Sequence, residues 1–180
     1  MNELEREKKK GISLWYLMKV AVMRKLIGDR YQTPGFGFAA LLFASVAREV
    51  MEKLGPEEGE ALIKRAVESF GRERGKRIAE KVTGKGKPLS LRNWIIYTDI
   101  AASNFPAKVS FPEHDLEAHV DKCSFIQVAD AWGLRPYASL YCKYADYAIL
   151  HGYNPDVRLT LQNRHETGRD YCAFRYRMKQ

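Results

Sequence analysis

The sequence predicts an α+β domain: a helical first half is followed by two β-hairpins that form a four-stranded antiparallel sheet, with helices between the hairpins. Residues 1–103 carry apolar side chains at helical spacing. Two stretches in residues 104–180 alternate polar and apolar side chains, as strands do. Since the 180 residues contain no convincing linker, we expect a single domain over residues 1–180, with its candidate site in 104–180.

Four helices are predicted in the first half. They cover residues 2–28, 34–54, 56–82 and 91 to about 102, with Pro at the start of the second and third and Ser90 as the cap of the fourth. The second is apolar almost all round, so we expect it to lie centrally in the core. Gly71 and Gly75 follow the apolar stripe of the third helix, which predicts close approach of another element.

The second half alternates between strands and helices. Strands are predicted over residues 105–111 and 114–123, and again over 157–163 and 170–177, with the turn of the second hairpin at 164–169. Between the hairpins we expect helices over 124–132 and from Pro136 to about Leu150. In the second strand, Leu116, Ala118 and Val120 face one way, and Glu117, His119 and Asp121 face the other.

Cysteine content and hydropathy indicate the compartment. The chain has three cysteines, an odd number without CxxC spacing, which argues against a disulfide framework and favours a reducing environment. No apolar run reaches the roughly 18 residues of a membrane span, and the charged N-terminus does not resemble a signal peptide. We therefore expect a cytoplasmic protein that does not interact with membranes.

The net charge of +8 is concentrated in residues 72–87 and 158–179. A basic segment of this kind attracts nucleic acid or an anionic small molecule, whereas the structural alternative is a solvated face. The solvated face is the more frequent outcome for such charge runs. The interleaved aromatic and Arg residues of YCAFRYRMK have two explanations as well: stacking on single-stranded bases, or an outer β-strand, which alternation alone predicts.

Candidate chemistry lies on two elements that carry cysteine. Cys142 and Asp146, four residues apart on a predicted helix, share one face. A neighbouring carboxylate raises the pKa of a thiol, so a reactive Cys142 would need a compensating cation or imidazole. Cys172 lies on the last strand, with His165 shortly before it and His119 as a second candidate base. The alternative is that both cysteines are buried small residues.

A metal site is a further alternative that the spacing disfavours. Cys123, Cys142, Cys172, His119 and His165 are soft ligands, but they are scattered along the chain rather than paired. We expect neither a metal nor another cofactor.

Four segments of the second half resemble the L-2-amino-thiazoline-4-carboxylic acid hydrolase family. They are KCSF at 122–125, YCKYAD at 141–146, HGYNP at 151–155 and GRDYCAFRY at 168–176, and the resemblance is best over residues 115–177. Enzymes of this family open a cyclic amidine by adding water, which gives an N-carbamoyl cysteine. The resemblance thus implies a hydrolase acting on non-peptide C–N bonds of a small amino-acid-like substrate.

The resemblance also assigns roles to individual residues. Cys142 and Asp146 match the family's Cys-x-x-x-Asp helix, Asn154 its turn and Cys172 its closing strand. That strand commonly reads Cys-Asp-Phe in the family, whereas this chain has Ala173. The missing carboxylate puts an acid/base or substrate-ammonium contact in question.

A mechanism follows from these assignments. Cys142 or Cys172 is the expected nucleophile, with Cys142 slightly favoured; Asp146 holds the amidinium and His165 shuttles protons. Residues expected to contact the substrate, or its carboxylate, are Arg164, Arg169, Arg175, Asn154 and His119. The rival hypothesis is a non-catalytic module that binds a small ligand or, less favoured, nucleic acid through residues 72–87 and 158–179. The sequence indicates no oligomeric state.

Overall fold

A helical first half is followed by a four-stranded antiparallel sheet, which confirms the α+β class, and the helices of the first half pack on a long helix of the second half that in turn contacts the sheet. The computed structural model describes residues 35–100, 102–110, 112, 115–167, 169 and 171–178. The helices are α1 (Gly35–Leu54), α2 (Pro56–Thr83), α3 (Leu91–Tyr97), α4 (Ser124–Ala131), α5 (Arg135–Tyr153) and α6 (Arg164–Thr167). The strands are β1 (Ala107–Ser110), β2 (Leu116–Val120), β3 (Val157–Gln162) and β4 (Cys172–Met178).

Residues 34–180 form one compact unit. The predicted helix over residues 2–28 lies outside the described residues, so the single domain over 1–180 stays a prediction. Among the helices that the structure describes, we find none with the length and apolar character needed to cross a membrane.

Helix α1 is amphipathic in its packing although its sequence is apolar almost all round. One stripe, which includes Ala40, Leu41 and Ala44, is buried. Phe38 and Leu42 on the opposite stripe are 65% and 63% exposed. The expectation that this helix lies centrally in the core is therefore wrong, because only one of its faces meets the rest of the described structure.

Helices α2 and α5 form the closest contact of the core, and glycines make that contact possible. A Cβ at Gly75 would lie 2.0 Å from the carbonyl oxygen of Ile149, and one at Gly71 would lie 2.7 Å from Cβ of Ala148. On α5, a Cβ at Gly152 would lie 2.2 Å from the carbonyl oxygen of Arg72. The close approach predicted from the glycine pair is thus confirmed, and its partner is α5.

The packing of Gly152 explains why α5 is longer than expected. The sequence places the end of this helix near Leu150, because Gly and Pro follow. In the structure α5 continues to Tyr153. Gly152 lies inside the helix, where its missing side chain lets the backbone of α5 pack on Arg72 of α2.

Helix α3 begins as predicted and ends earlier. The Ser90 hydroxyl oxygen accepts a hydrogen bond from the backbone N–H of Asn93 at 3.3 Å, which confirms the N-cap. The helix stops at Tyr97 rather than near Ala102, because Thr98 adopts an extended backbone. A short 3-10 turn follows over Ala102–Asn104.

The two hairpins join into one antiparallel sheet in the order β1-β2-β4-β3. Strand β2 pairs with β4, with Ala118 opposite Phe174 and Val120 opposite Cys172. This pairing places Cys172 on an inner strand. Strand β1 is an edge strand, with Val109 opposite Ala118.

The connection of the second hairpin contains a helical turn that the sequence did not predict. The side-chain oxygen of Asn163 accepts a hydrogen bond from the backbone N–H of His165 at 3.0 Å. The backbone carbonyl of Asn163 also accepts bonds from the N–H groups of Glu166 and Thr167. Asn163 thus caps α6 and fixes the start of the loop that leads to β4.

The α2–α5 contact makes a strong prediction for stability. Replacing Gly75 with Ala inserts a methyl group where the backbone of α5 already lies, and we expect the free energy of unfolding to fall by about 2–4 kcal/mol. Urea unfolding monitored by circular dichroism measures the change. Gly35→Ala is the matched control, because no atom lies within 4 Å of its added Cβ. Equal stability of the Gly75→Ala variant and the wild type would contradict the close contact.

Candidate functional site

A cavity of about 420 Å³ lies between the inner face of the sheet and the helices that cover it. The sheet contributes the inward side chains Ala107, Val109, Leu116, Ala118, Val120, Leu161, Cys172, Phe174 and Tyr176. The facing sides of β2 and β4 follow the alternation expected from the sequence. Helix α5 forms the opposite wall with Tyr141, Cys142, Asp146 and Ile149.

Cys142 and Asp146 both line this cavity, one helical turn apart on α5. Burial raises the pKa of the Asp146 carboxyl to about 6, and the positive charge of Arg74 partly opposes this shift. Burial and the neighbouring Asp146 raise the pKa of the Cys142 thiol well above its usual range. Cys142 is therefore a protonated thiol near neutral pH, as the carboxylate beside it led us to expect.

Cys172 lies in the same cavity beside a guanidinium group. Nε of Arg164 donates to Sγ of Cys172 at 3.4 Å. Nη2 of Arg164 donates to the backbone carbonyl oxygens of Val120 and of Asp121, the latter at 3.1 Å. These bonds anchor the guanidinium to the end of β2. The guanidinium group is thereby held in contact with the sulfur of Cys172.

His165, next to Arg164 on α6, also lines the cavity. Its Nε2 atom is buried and has no hydrogen-bond partner among the residues that the structure describes. Burial, together with the positive charges of Arg135 and Arg164, lowers the pKa of the imidazole. His165 is thus neutral at pH 7, and one ring nitrogen remains available to exchange a proton with a ligand.

The structure adds a polar wall that sequence reasoning missed. Nε and Nη2 of Arg74 donate to the carboxylate of Asp99 at 2.6–3.0 Å, and Nη1 donates to the Tyr141 hydroxyl at 3.3 Å. The side chain of Arg74 is only 13% exposed. In the sequence, Arg74 is one of several cations in the basic segment 72–87. The feature that could have identified it is its position next to Gly75, where the close approach of another element is predicted.

Two further side chains of the cavity were not among the residues expected to bind or convert a substrate. Cys123, which the sequence offered only as a possible metal ligand, precedes α4 and brings a third thiol to the cavity wall, and burial raises its pKa. Tyr176 on β4 faces Asp146 across the cavity, and burial together with that carboxylate raises the pKa of its hydroxyl. All three cysteines of the chain are free thiols. Among the described residues, no group of three or more His, Cys, Asp or Glu side chains has the arrangement of a metal site.

Other residues expected at the site lie on the outer face of the sheet. His119 is exposed and stacks on Tyr171, with ring centroids 5.1 Å apart. Nε of Arg175 donates to Asp115 at 2.7 Å on the same outer face. Ala173, which pairs with His119, faces outward as well. A carboxylate at position 173 would therefore point away from the cavity.

Asn154 and Arg169 also lie outside the cavity. Nδ2 of Asn154 donates to the backbone carbonyl of Leu89 at 2.7 Å, which ties the end of α5 to the segment before α3. Nη1 of Arg169 donates to the side chain of Gln162 at 2.6 Å. Of the expected site residues, the structure thus brings together Cys142, Asp146, Cys172, His165 and Arg164.

The raised pKa of the half-buried Asp146 carboxyl predicts a pH-dependent effect on stability. This pKa is about 6 in the folded protein, against 3.8 for an aspartate exposed to water. The folded state therefore holds the proton more tightly, and the protein loses stability as the pH rises from about 4 to 6. Asp146→Asn removes this cost, so the variant should gain up to about 3 kcal/mol over the wild type at pH 7.5 and little at pH 4.

Urea unfolding at both pH values measures the difference. The exposed carboxylate of Asp156 provides the matched control, and Asp156→Asn should give no gain at pH 7.5. A gain of the same size at pH 4 and pH 7.5 would show that Asp146 is not a buried titrating group.

Comparison with known proteins identifies the family of the chain. The sequence model of the L-2-amino-thiazoline-4-carboxylic acid hydrolase family matches residues 36–176, which contain every cavity residue discussed above. Among curated proteins, none matches this chain with significant similarity. Because the match spans most of the sequence, the chain belongs to the L-2-amino-thiazoline-4-carboxylic acid hydrolase family.

Proposed function

We propose that this protein is a hydrolase that opens a cyclic amidine in a small, carboxylate-bearing, amino-acid-like substrate, using a cysteine nucleophile. The observation that carries the proposal is the shared cavity of a thiol, a buried carboxylate, a neutral imidazole and a guanidinium, in a member of this hydrolase family. A nucleophile, a proton carrier and a group that holds the substrate charge are what such a reaction needs.

Cys172 is the better nucleophile of the two cysteines expected from the sequence. Arg164 donates to its sulfur, and a guanidinium stabilises the thiolate that must form. Cys142 is in the opposite situation, because burial and Asp146 raise the pKa of its thiol. The slight preference for Cys142 at the level of sequence is thus reversed in this proposal.

Asp146 binds the amidinium end of the substrate. Since its pKa is about 6, the carboxyl is ionised at pH 7, although burial makes that charge costly. A cationic amidinium that enters the cavity offsets this cost by pairing with the carboxylate.

Arg164 binds the carboxylate end of the substrate. Its Nε and Nη2 atoms already donate to Cys172 and to the end of β2, so its Nη1 atom is assigned to the substrate carboxylate.

The reaction then proceeds through an enzyme-bound intermediate. His165 takes the proton of the Cys172 thiol, and the thiolate attacks the amidinium carbon. The ring carbon–sulfur bond then breaks as the departing sulfur takes that proton from His165, which returns to its neutral form. Water, deprotonated by neutral His165, adds to the same carbon and expels the Cys172 thiolate. The product keeps both nitrogens on the reacting carbon, as an N-carbamoyl cysteine requires. The net change is the addition of one water molecule.

Cysteine substitutions test the covalent step. With 2-amino-2-thiazoline-4-carboxylate as substrate, Cys172→Ala should lower turnover at least about a thousandfold, because the nucleophile is lost. Cys142→Ala and the control Cys123→Ala should keep turnover within about tenfold of wild type. Mass spectrometry of quenched wild-type reactions should show an adduct on the peptide that contains Cys172. Wild-type turnover in both Cys172→Ala and Cys142→Ala would exclude covalent catalysis by these thiols.

The nucleic-acid alternative loses support in the structure. Arg74 of the first basic segment is turned inward to Asp99, and Arg77 pairs with Glu73 at 3.0 Å. In the second segment, Arg177 pairs with Asp115 at 2.6 Å. These arginines are engaged by carboxylates instead of being displayed together for phosphate contacts.

A salt titration separates the two hypotheses. We expect no saturable binding of a generic single-stranded RNA at 50 mM salt, measured by fluorescence anisotropy, because Arg74, Arg77 and Arg177 are held by carboxylates of the protein. Tight binding that weakens steeply with added salt would instead favour the nucleic-acid-binding module.

A further inference from the structure

The cavity is larger and more apolar than a small thiazoline needs. Cavities of roughly 300–1,000 Å³ are typical of drug-sized ligands, and this cavity, at about 420 Å³, falls in that range. A single five-membered ring with one amino and one carboxylate group would occupy only part of it. Most of the remaining space is bounded by aliphatic and aromatic side chains.

The polar and apolar walls of the cavity lie at different places along the sheet. Cys172 is on β4, and Arg164 and His165 follow β3, so the reactive groups gather at that side. Strand β1, at the opposite edge of the sheet, contributes only Ala107 and Val109. Neighbouring strands are about 4.8 Å apart, so β1 lies roughly 10 Å from β4.

The β1 edge of the cavity is apolar and carries two aromatic rings. We call it the apolar lobe, and its residues are Phe36, Phe105, Ala107 and Val109. The rings of Phe36 and Phe105, the latter just before β1, lie 6.0 Å apart in an edge-to-face arrangement. Val109 is 56% exposed, so the cavity opens to solvent beside β1.

From this arrangement we infer that the substrate is a cyclic amidine with an apolar, preferably aromatic, arm that extends over β2 into the apolar lobe. The inference rests on the proposed function, because the reactive head is placed between Cys172 and Asp146. An arm of one phenyl ring on a short linker spans the distance from β4 to β1. Burial of such a ring removes apolar surface of both partners from water, which favours binding.

We place the arm over Ala118, the middle of the three inward residues of β2, between Leu116, opposite Tyr176, and Val120, opposite Cys172. On β2, Ala118 lies opposite Phe174 of β4 on one side and opposite Val109 of β1 on the other. Its small side chain leaves the passage between the reactive groups and the apolar lobe open. A larger side chain at this position would close the passage without touching the reactive groups.

Binding measurements with a matched compound series test the inference. The probes are 2-amino-2-thiazoline-4-carboxylate and its 5-phenyl, 5-benzyl and 5-phenylpropyl derivatives, titrated into the full-length Cys172→Ala protein by calorimetry. We expect the best arm-bearing compound to bind at least about tenfold more tightly than the unsubstituted ring. Equal or weaker binding of all three derivatives would overturn the inference.

Two substitutions in the same background locate the arm. Ala118→Leu should abolish the gain from the arm and leave the affinity for the unsubstituted ring within about twofold. The matched control Ala173→Leu, on the outer face one strand away, should leave the gain intact. Val109→Thr, an exposed change of similar volume, should reduce the gain if Ala118→Leu proves unstable. A full gain in both cavity variants would place the arm elsewhere and overturn the inference.

Turnover by the wild-type protein separates this inference from the proposed function. Turnover of the unsubstituted ring, with no preference for the arm, would sustain the hydrolase proposal and overturn the inference. A different outcome would separate them the other way: the arm strengthens binding, Ala118→Leu removes that gain, and no compound undergoes ring opening. That outcome would overturn the hydrolase proposal and sustain the proposed ligand class.

Discussion

The contact between α2 and α5 is the constraint on which the rest of the site depends. Gly71 and Gly75 on one helix and Gly152 on the other let the two backbones approach without intervening side chains. At this separation Arg74, the neighbour of Gly75, reaches the Tyr141 hydroxyl, and its charge acts on Asp146. A wider spacing would remove this cation from the buried carboxylate. The helix contact thus sets both the stability of the core and the electrostatics of the cavity.

The pleat of the sheet imposes the second constraint. Along β4, Cys172, Phe174 and Tyr176 face the cavity, whereas Ala173 and Arg175 face the other side. The departure of this chain from the family pattern at Ala173 therefore lies outside the cavity. A carboxylate at position 173 would lie on the outer face with His119 and would not contact a ligand in the cavity. The outer face has its own ion pairs, among them that of Arg175 with Asp115.

Local patterns predicted most of the elements, because helices and strands leave their periods in the sequence. Alternation correctly separated the two faces of β2, and Gly71 with Gly75 correctly indicated a close helix contact. The site was harder to predict. Spacing paired Cys142 with Asp146, but the approach of Arg164 to Cys172 depends on the β2–β4 pairing and on the cap at Asn163, which are properties of the assembled fold.

Charge runs were the least informative signal, because a count of cations does not say where each side chain points. Arg74 and Arg77 lie three residues apart on α2, yet one is turned inward to Asp99 and the other pairs with Glu73 on its own helix. Helical geometry fixes which face a residue occupies, and only the packing of α5 decides which face becomes the interior. Sequence alone therefore placed both arginines on a basic surface.

The charged groups that line the cavity act in opposite ways on Cys142 and Cys172. A buried carboxylate is costly, and Asp146 sits one helical turn from Cys142, where its charge opposes formation of a second anion. Arg164 supplies the opposite field at Cys172. A cationic substrate head that pairs with Asp146 would relieve the cost of that charge at the moment of binding, while the thiolate forms at the other wall. In the proposed function, the same electrostatic cost that lowers the stability of the protein gives Asp146 a preference for a cationic ligand.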